Sequence, residues 1–228
     1  MWLGRKLAVK YADKIVVLTK KDMELNKKRF HSEEKITQIY NPIEFINSNN
    51  DYDVNSKKIV SSGRFTNQKG FDMLVDVAKI VFDKHPDWQW DIYGDGPEED
   101  TVRRLIIEKG LENNVKLMGR TNKMNELYKE YAMYVMTSRF EGLGMVNIEA
   151  HFAKLPIVSF DCNCGPSELI IEGVNGYLID CFDIDKMAEK INMLIEKPDL
   201  RIEMSKNTMN DKEKLQMENV IEKWEEIL

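Results

Sequence analysis

Two glutamates eight positions apart carry the strongest chemical signal in the 228-residue chain. Glu141 and Glu149 lie in the run SRFEGLGMVNIEA, where Gly142 and Gly144 separate a predicted strand from a predicted helix. Glu149 falls about five residues inside that helix, roughly 7 Å along its axis. Free amides of the first turn, around Leu143, form an anion site between the carboxylates. This layout fits an extended nucleotide sugar, because a carboxylate accepts two hydroxyl hydrogen bonds; the alternative is that Glu149 is a buried or capping acid.

A pair of cations forms a second cluster in the run GRFTNQKG. Arg64 follows Gly63, and Lys69 precedes Gly70, just past a predicted strand. A guanidinium forks onto phosphate oxygens, and an ammonium supplies a compact charge. The two can therefore neutralise a departing nucleoside diphosphate, with roughly 1.5–3 kcal/mol for each charge-assisted bond. A solvated basic loop is the equal alternative.

A third motif, Gly94-Asp95-Gly96-Pro97, follows the next predicted strand. It is not the dinucleotide-binding fingerprint, because Glu99 occupies the position of the third glycine. Pro97 is suited to begin the following helix, where its missing N–H costs nothing. The motif indicates little when taken by itself.

The alternation of predicted strands and helices brings these motifs to one edge of a sheet. Strands are predicted at residues 59–62, 88–93, 115–118, 134–137, 156–160 and 177–179. Helices are predicted from residue 71, with an apolar stripe, and at residues 98–109, 125–131, 144–154, 184–196 and 200–224. This order predicts an α/β fold, a Rossmann-like doubly wound parallel sheet with helices on both faces. Ligands bind such sheets at the carboxyl ends of the strands, near a topological switch point.

The first part of the chain is predicted to be separate from this sheet. A strand at residues 15–18, a helix at 20–30 and a strand at 35–40 precede a run rich in Asn, Ser and Asp. The sequence therefore predicts three segments: residues 1–46, a polar linker at 47–57, and a sheet domain with C-terminal helices at 58–228.

The composition is that of an ordinary soluble globular protein, with 43% hydrophobic and 32% charged residues and a formal net charge of −6. No apolar stretch approaches the ~18 residues that cross a bilayer, and no secretory signal is visible. Three sparse cysteines, Cys162, Cys164 and Cys181, favour a reducing cytoplasm over a disulfide framework.

The charge is unevenly distributed. Lys and Arg outnumber Asp and Glu by ten to six in residues 1–50, whereas the rest of the chain is acidic. An acidic body argues against nucleic-acid binding. The basic cluster Lys20, Lys21, Lys27, Lys28 and Arg29 is either a contact for the anionic inner face of the cell membrane or a solvated helix face.

No metal or cofactor is expected. Two Asp-x-Asp triplets occur at residues 51–53 and 183–185, but the first lies in the linker and the second is placed to cap a helix. The cysteines lack partners for a zinc site. His31, His85 and His151 are isolated in the sequence, so no catalytic constellation with histidine is proposed.

The motifs together resemble a known family. GRFTNQKGFDML, YGDGPEED, LMGR, SRFEGLGMVNIEAHFAKLPIVSFDC and GPSELI with GVNGYLI are similar, in the same order, to signatures of the family 4 retaining glycosyltransferases. Those enzymes have two facing Rossmann-like domains, the GT-B fold, with the nucleotide-sugar donor held mainly by the C-terminal one. The run SFDCNCGPSELI is most similar to the branch that builds bacterial capsule, exopolysaccharide and lipopolysaccharide from UDP-linked hexoses, although Asn163 replaces a usual proline.

The resemblance implies a role for each motif residue. Arg64 and Lys69 would hold the diphosphate, and Glu141 would bind donor-sugar hydroxyls during metal-independent transfer with retention, through an oxocarbenium-like state. Glu149 would bind the ribose. The donor-binding residues implied are Gly63, Gly94, Asp95, Gly96, Pro97, Gly119, Arg120, Gly142, Leu143, Gly144 and Glu149.

The resemblance also implies what the chain lacks. Residues 1–46 would be a remnant of the N-terminal domain, which in a complete member binds a glycan or lipid-linked acceptor. The chain is then expected to be a C-terminal fragment that binds donor and is inactive in transfer alone. Two alternatives stay open: a non-catalytic nucleotide-sugar-binding module, and a GT-B enzyme that epimerises or hydrolyses nucleotide sugars.

Overall fold

The structure, a computed structural model, describes residues 2–32, 34–42, 52–208 and 212–228. The chain divides into two compact units, one of Met1–Phe45 with Asp211–Leu228 and one of Ile46–Asn210. The first part of the predicted linker at 47–57, and the boundary predicted after residue 46, lie outside the described residues. Past residue 51 the linker is irregular and turns at Asp53, whose carboxylate accepts a hydrogen bond from the backbone N–H of Asn55 at 2.9 Å.

The smaller unit contains the predicted strand–helix–strand segment. Parallel pairing joins its two strands, with Ile15 opposite Ile36. Its elements in order are α1 (Trp2–Tyr11), β1 (Ile15–Val17), α2 (Lys20–Phe30) and β2 (Ile36–Gln38), with the last helix of the chain, Met217–Glu225. The first helix was not predicted from the sequence. The basic cluster lies on α2, which has no buried residue.

The grouping of the last helix differs from the prediction. The sequence placed all of residues 58–228 with the sheet, whereas Asp211–Leu228 clusters with the smaller unit. There Val220 is buried, and the Lys223 ammonium lies 5.7 Å from the centre of the Tyr40 ring. An amphipathic pattern specifies that one helix face is buried but not which surface covers it.

A six-stranded sheet forms the centre of the larger unit. All neighbouring strands pair in parallel, in the order β5-β4-β3-β6-β7-β8. The strand order reverses between β3 and β6, which makes the sheet doubly wound and confirms the predicted fold class. The strands are β3 (Lys58–Ser62), β4 (Gln89–Tyr93), β5 (Val115–Gly119), β6 (Met133–Met136), β7 (Ile157–Phe160) and β8 (Gly176–Ile179).

Helices and the sheet enclose two hydrophobic clusters. The larger contains the predicted apolar stripe of α3, with Leu74, Val75 and Ala78 fully buried. The smaller is rich in tyrosine and includes Tyr128 and Tyr134. The helices of this unit are α3 (Phe71–Lys84), α4 (Glu99–Glu108), α5 (Met124–Leu127), α6 (Met145–Phe152), α7 (Ile184–Glu196) and α8 (Pro198–Asn207), whereas α9 (Met217–Glu225) belongs to the smaller unit. None of the helices within the described ranges is both long and apolar enough to cross a membrane.

Two predicted helices were wrong in extent. The helix predicted at 125–131 is a four-residue α5 that continues as a 3₁₀ turn at Tyr128–Glu130. The helix predicted at 200–224 consists of α8 and α9, with a 3₁₀ turn at Lys212–Leu215 before α9. The polar run after Lys206 interrupts the apolar periodicity, and helices without such a stripe gain little from packing.

Loops at the carboxyl edge of the sheet pack backbone against backbone. A Cβ atom at Gly94 would lie 1.9 Å from the carbonyl oxygen of Gly63, and one at Gly70 would lie 2.2 Å from that of Thr137. The Phe65 N–H also donates to the Asp95 carbonyl at 2.7 Å. The glycines after β3 and β4 therefore permit a close approach of two loops, and they do more than ease a turn.

We expect Gly94→Ala to lower the free energy of unfolding by about 2 kcal/mol or more, because backbone must move to make room. Gly110→Ala is the matched control, since Gly110 also has positive φ but a Cβ there would meet nothing within 4 Å. The control is expected to cost only about 1 kcal/mol. Urea unfolding followed by circular dichroism measures both, and equal losses would contradict the close-approach explanation.

Candidate functional site

A cavity of about 520 Å³ opens at the carboxyl ends of β3, β4 and β5. It adjoins the point between β3 and β6 where the strand order reverses, which is where doubly wound sheets bind ligands. Helix α6 contributes Val146 and Glu149 to the lining. The lining residues are Ser62, Gly63, Arg64, Tyr93, Gly94, Asp95, Gly96, Pro97, Arg120, Thr121, Met124, Val146 and Glu149.

Eight of the fourteen residues predicted from the sequence line this cavity. They come from three strand ends and one helix, separated by up to 86 positions, so folding brings together residues of the motifs GRFTNQKG, GDGP, LMGR and SRFEGLGMVNIEA. The eight are Gly63, Arg64, Gly94, Asp95, Gly96, Pro97, Arg120 and Glu149. The six that do not line it are Lys69, Gly119, Glu141, Gly142, Leu143 and Gly144.

Lys69 and Glu141 form an ion pair beside the cavity. The Lys69 ammonium lies 2.6 Å from Glu141 Oε1, and the two side chains are only 16% and 7% exposed. The Ser138 hydroxyl donates to the same carboxylate oxygen at 2.8 Å. The lysine stem crosses Gly63, where a Cβ would lie 2.8 Å from Lys69 Cε, so the pair adjoins the cavity wall.

The two cations and two acids predicted to act together lie near one another, but only one of each lines the cavity. Arg64 and Glu149 line it, whereas Lys69 and Glu141 neutralise each other next to it. Sequence spacing cannot reveal this pairing, because a cation attracts the nearest buried carboxylate, and 72 positions separate the two.

The predicted donor-binding residues Gly142, Leu143 and Gly144 directly precede α6 and form the turn at which that helix begins. Gly144 is the N-cap residue with φ of 70°, and Leu143 is buried in the protein interior. A Cβ at Gly165 would lie 1.9 Å from the Gly142 carbonyl oxygen, so these two loops also touch through backbone. Gly119 ends β5, and its carbonyl accepts from the Gly94 N–H at 2.9 Å.

Glu149 presents a partly buried carboxylate to the cavity. The Tyr128 hydroxyl donates to Glu149 Oε2 at 3.3 Å. Burial raises the pKa of Glu149, and the Tyr128 hydrogen bond opposes that rise. A carboxylate in this position can accept hydrogen bonds from ligand hydroxyls.

The cations of the cavity differ in their availability. Within the described ranges, the Arg64 guanidinium has no carboxylate within salt-bridge distance and no hydrogen bond. Arg120 lies 3.6 Å from Asp95, with both side chains more than half exposed, and such a pair stabilises little. Arg64 is therefore ready to bind an anion, and Arg120 can be recruited with little loss.

Sequence reasoning missed five lining residues, Ser62, Tyr93, Thr121, Met124 and Val146. Ser62 and Tyr93 end β3 and β4, so their position at a carboxyl edge was the available signal. Tyr93 also begins a buried chain of side chains. Its hydroxyl lies 3.0 Å from that of Tyr131, which donates to the Asp91 carboxylate at 2.8 Å.

Among the residues that the structure describes, no three or more His, Cys, Asp or Glu side chains are grouped so that they could hold a metal ion. Asp183 caps α7, as predicted, by accepting from the Lys186 N–H at 2.9 Å. Asp51 of the other triplet lies outside the described residues. Metal independence stays a prediction.

Known proteins share both the sequence and the fold. The family model described as glycosyl transferases group 1 matches residues 42–211. An uncharacterized glycosyltransferase of Haemophilus influenzae is 35% identical over 99% of this chain and 64% of its own length. The poly(ribitol-phosphate) alpha-N-acetylglucosaminyltransferase of Staphylococcus aureus is 38% identical over 74% of this chain and 35% of its own.

A solved structure agrees with these matches. A mutant of S. aureus TarM, crystallised with fondaparinux, alpha-GlcNAc-glycerol and UDP, superposes with a TM-score of 0.91 at 32% identity. The match covers 97% of this chain and 45% of that one. The chain thus spans between about a third and two thirds of the length of these three proteins.

We expect Lys69→Met and Glu141→Gln each to lower the free energy of unfolding by about 2 kcal/mol, because each leaves a largely buried partner unpaired. The double variant is expected to recover about 1–2 kcal/mol of the summed loss. Urea unfolding of the four proteins gives the coupling energy.

The control for that cycle is the exposed pair Lys57–Asp87, which has the same 2.6 Å separation with side chains 61% and 56% exposed. Its coupling is expected to stay below about 1 kcal/mol. Equal coupling in the two pairs would show that burial of Lys69 and Glu141 adds nothing.

Proposed function

The chain belongs to the glycosyl transferases group 1 family, and from this premise we propose that it is the donor-binding part of a retaining hexosyltransferase. The donor is a nucleotide-diphosphate sugar, with UDP as the nucleotide. The acceptor is a glycan or lipid-linked sugar that binds to a further N-terminal domain. The product is a bacterial surface polysaccharide.

The single observation that carries this proposal is that Arg64 and Glu149 line the same cavity at the switch point, with the Lys69–Glu141 pair adjoining it. An unpaired guanidinium suits a diphosphate, while the Glu149 carboxylate in the cavity suits ribose hydroxyls and the Glu141 carboxylate beside the cavity suits those of a hexose.

The residues of the chain divide the chemistry between them. As the bond between sugar and phosphate breaks, negative charge develops on the diphosphate, where Arg64 and Lys69 stabilise it. Glu141, held by Lys69 and Ser138, accepts hydrogen bonds from the donor sugar. Glu149 accepts from the ribose, and no step requires a metal ion.

The relatives support the finer points of the proposal. The S. aureus relative is named as an alpha-transferase acting on poly(ribitol-phosphate), which supports retention and a cell-surface product. TarM was crystallised with UDP, which supports uridine as the base.

A non-catalytic nucleotide-sugar-binding module is the second candidate. It is favoured by one observation, namely that every residue lining the cavity belongs to the unit Ile46–Asn210.

In either case, we propose that residues 1–228 bind donor without transferring it. The search for a sugar–acceptor product with the full-length protein separates the two candidates, and the anomeric configuration of that product tests retention. Recovery of an altered or hydrolysed sugar instead would indicate an epimerase or a hydrolase.

We further propose a cytoplasmic location, at the inner face of the membrane if the basic cluster on α2 contacts anionic lipid. The exposed surface of α2 is compatible with that contact. Vesicle flotation with and without anionic lipid distinguishes it from a solvated helix face.

We expect residues 1–228 to bind UDP more tightly than GDP or ADP in calorimetric titrations. Loss of a charge-assisted bond in Arg64→Ala is expected to weaken binding about 10- to 100-fold. Lys69→Ala is expected to weaken binding less, because the Lys69 ammonium is shared with Glu141. Glu149→Ala is expected to weaken binding by about tenfold. Arg104→Ala, an exposed cation on α4, is the matched control and is expected to bind UDP normally. The absence of binding for all three nucleotides at millimolar concentration would remove the proposal.

We also expect UDP affinity to be the same with and without EDTA, because the cations of the site are side chains. Two titrations on one protein preparation provide the comparison. A marked loss in EDTA would instead indicate a metal ion on the diphosphate.

A further inference from the structure

Glu149 is fixed at one oxygen and free at the other. The Tyr128 hydroxyl donates to Oε2 at 3.3 Å. Among the described residues, no other group forms a hydrogen bond or salt bridge with this carboxylate. One oxygen is thus oriented by a neutral donor while the carboxylate lines the cavity.

Tyr128 is itself tightly packed. It is fully buried, and the 3₁₀ turn that it begins is closed by the Tyr131 N–H donating to its carbonyl at 3.1 Å. Its ring stands edge-on to that of Tyr134, with centroids 6.3 Å apart. The Tyr134 hydroxyl in turn donates to the Ser62 carbonyl at 3.2 Å. The hydroxyl of Tyr128 is therefore a fixed donor with a defined direction.

We infer that Tyr128 is a positioning residue for nucleotide binding, which aligns the Glu149 carboxylate and keeps it ionised for the hydroxyls of the bound ribose. This inference rests on the proposed function of Glu149. A carboxylate can accept from both hydroxyls of a ribose, whereas a protonated carboxyl gives up an acceptor site. A donor that strengthens the charged form thus strengthens binding.

The electrostatics around Glu149 agree with this role. Burial raises its pKa, and the Tyr128 hydroxyl lowers it. Burial also raises the pKa of Tyr128 well above its ordinary value, so that the hydroxyl keeps its proton.

The other titratable groups near Glu149 include Tyr134 and Glu141, since both carboxylates raise the pKa of the Tyr134 hydroxyl. Tyr134 on β6 also stays neutral, because burial raises its pKa. Across the cavity lie Arg64, Arg120 and Asp95, and the last two face each other at 3.6 Å. The Tyr128 hydroxyl is thus the main group that opposes the effect of burial on the pKa of Glu149. Its removal is therefore expected to raise that pKa further.

Calorimetric titration with UDP between pH 5 and pH 8.5 tests the inference. Binding needs ionised Glu149, so affinity is complete above the pKa of Glu149 and falls as the pH drops through it. Tyr128→Phe keeps the ring, and we expect about tenfold weaker binding at pH 7 and a midpoint about one pH unit higher than in the wild type. The phosphate of UDP titrates equally in both proteins and cancels in the comparison.

A matched control is Tyr52→Phe. It removes a hydroxyl that donates to the Ala132 carbonyl at 2.6 Å next to the same tyrosine-rich cluster, but outside the cavity. We expect the pH midpoint of UDP binding to be the same in Tyr52→Phe as in the wild type. A general loosening of the tyrosine-rich cluster would shift the midpoint in both variants. An equal shift in Tyr52→Phe would overturn the inference.

A second variant keeps the test valid even if Tyr128→Phe fails to fold. Glu149→Gln cannot titrate, so the part of the pH dependence that Glu149 causes is expected to vanish. If Glu149→Gln retains the pH dependence of the wild type, or if Tyr128→Phe binds UDP with the midpoint of the wild type, the inference is wrong. If the wild type binds no UDP at any pH, the proposed function fails as well, so the two failures are distinguishable.

Discussion

Direct packing of backbone on backbone, where the chain leaves β3, β4 and β6, is the constraint on which the site depends. At Gly94 and Gly70 the neighbouring carbonyl oxygens occupy space that a Cβ would need. Because no flexible side chain intervenes, the loops that carry Arg64 and Lys69 are fixed relative to the strands. The polar groups of the cavity thus have their positions set by the sheet, with little dependence on their own loop conformations.

The sequence predicted the sheet well because each strand is a short apolar run bounded by a turn, and the alternation with helices allows few topologies. The prediction was less accurate for elements whose position or type depends on packing between segments distant in the sequence. The last helix shows an apolar stripe, yet only the folded chain shows that Asp211–Leu228 joins the smaller unit. Residues 124–130 are too short for their periodicity to distinguish an α-helix from a 3₁₀ turn.

The same limit applies to the site. Motifs at strand ends were predictable, since parallel strands bring their carboxyl ends together. The Lys69–Glu141 pair and the Tyr128–Glu149 hydrogen bond join residues 72 and 21 positions apart, and no local pattern encodes either one. Such contacts form because folding buries these side chains near each other, and a buried charged or polar group is stabilised by pairing with a neighbouring one.

The buried chain from Tyr93 to Asp91 has a fixed polarity. Tyr131 uses its only proton on the Asp91 carboxylate, so it can only accept from Tyr93. Tyr93 then has its proton directed inward and only lone pairs left on its oxygen. Any further partner of this oxygen must therefore supply the hydrogen of the bond itself, as an N–H or O–H group does and a carbonyl cannot.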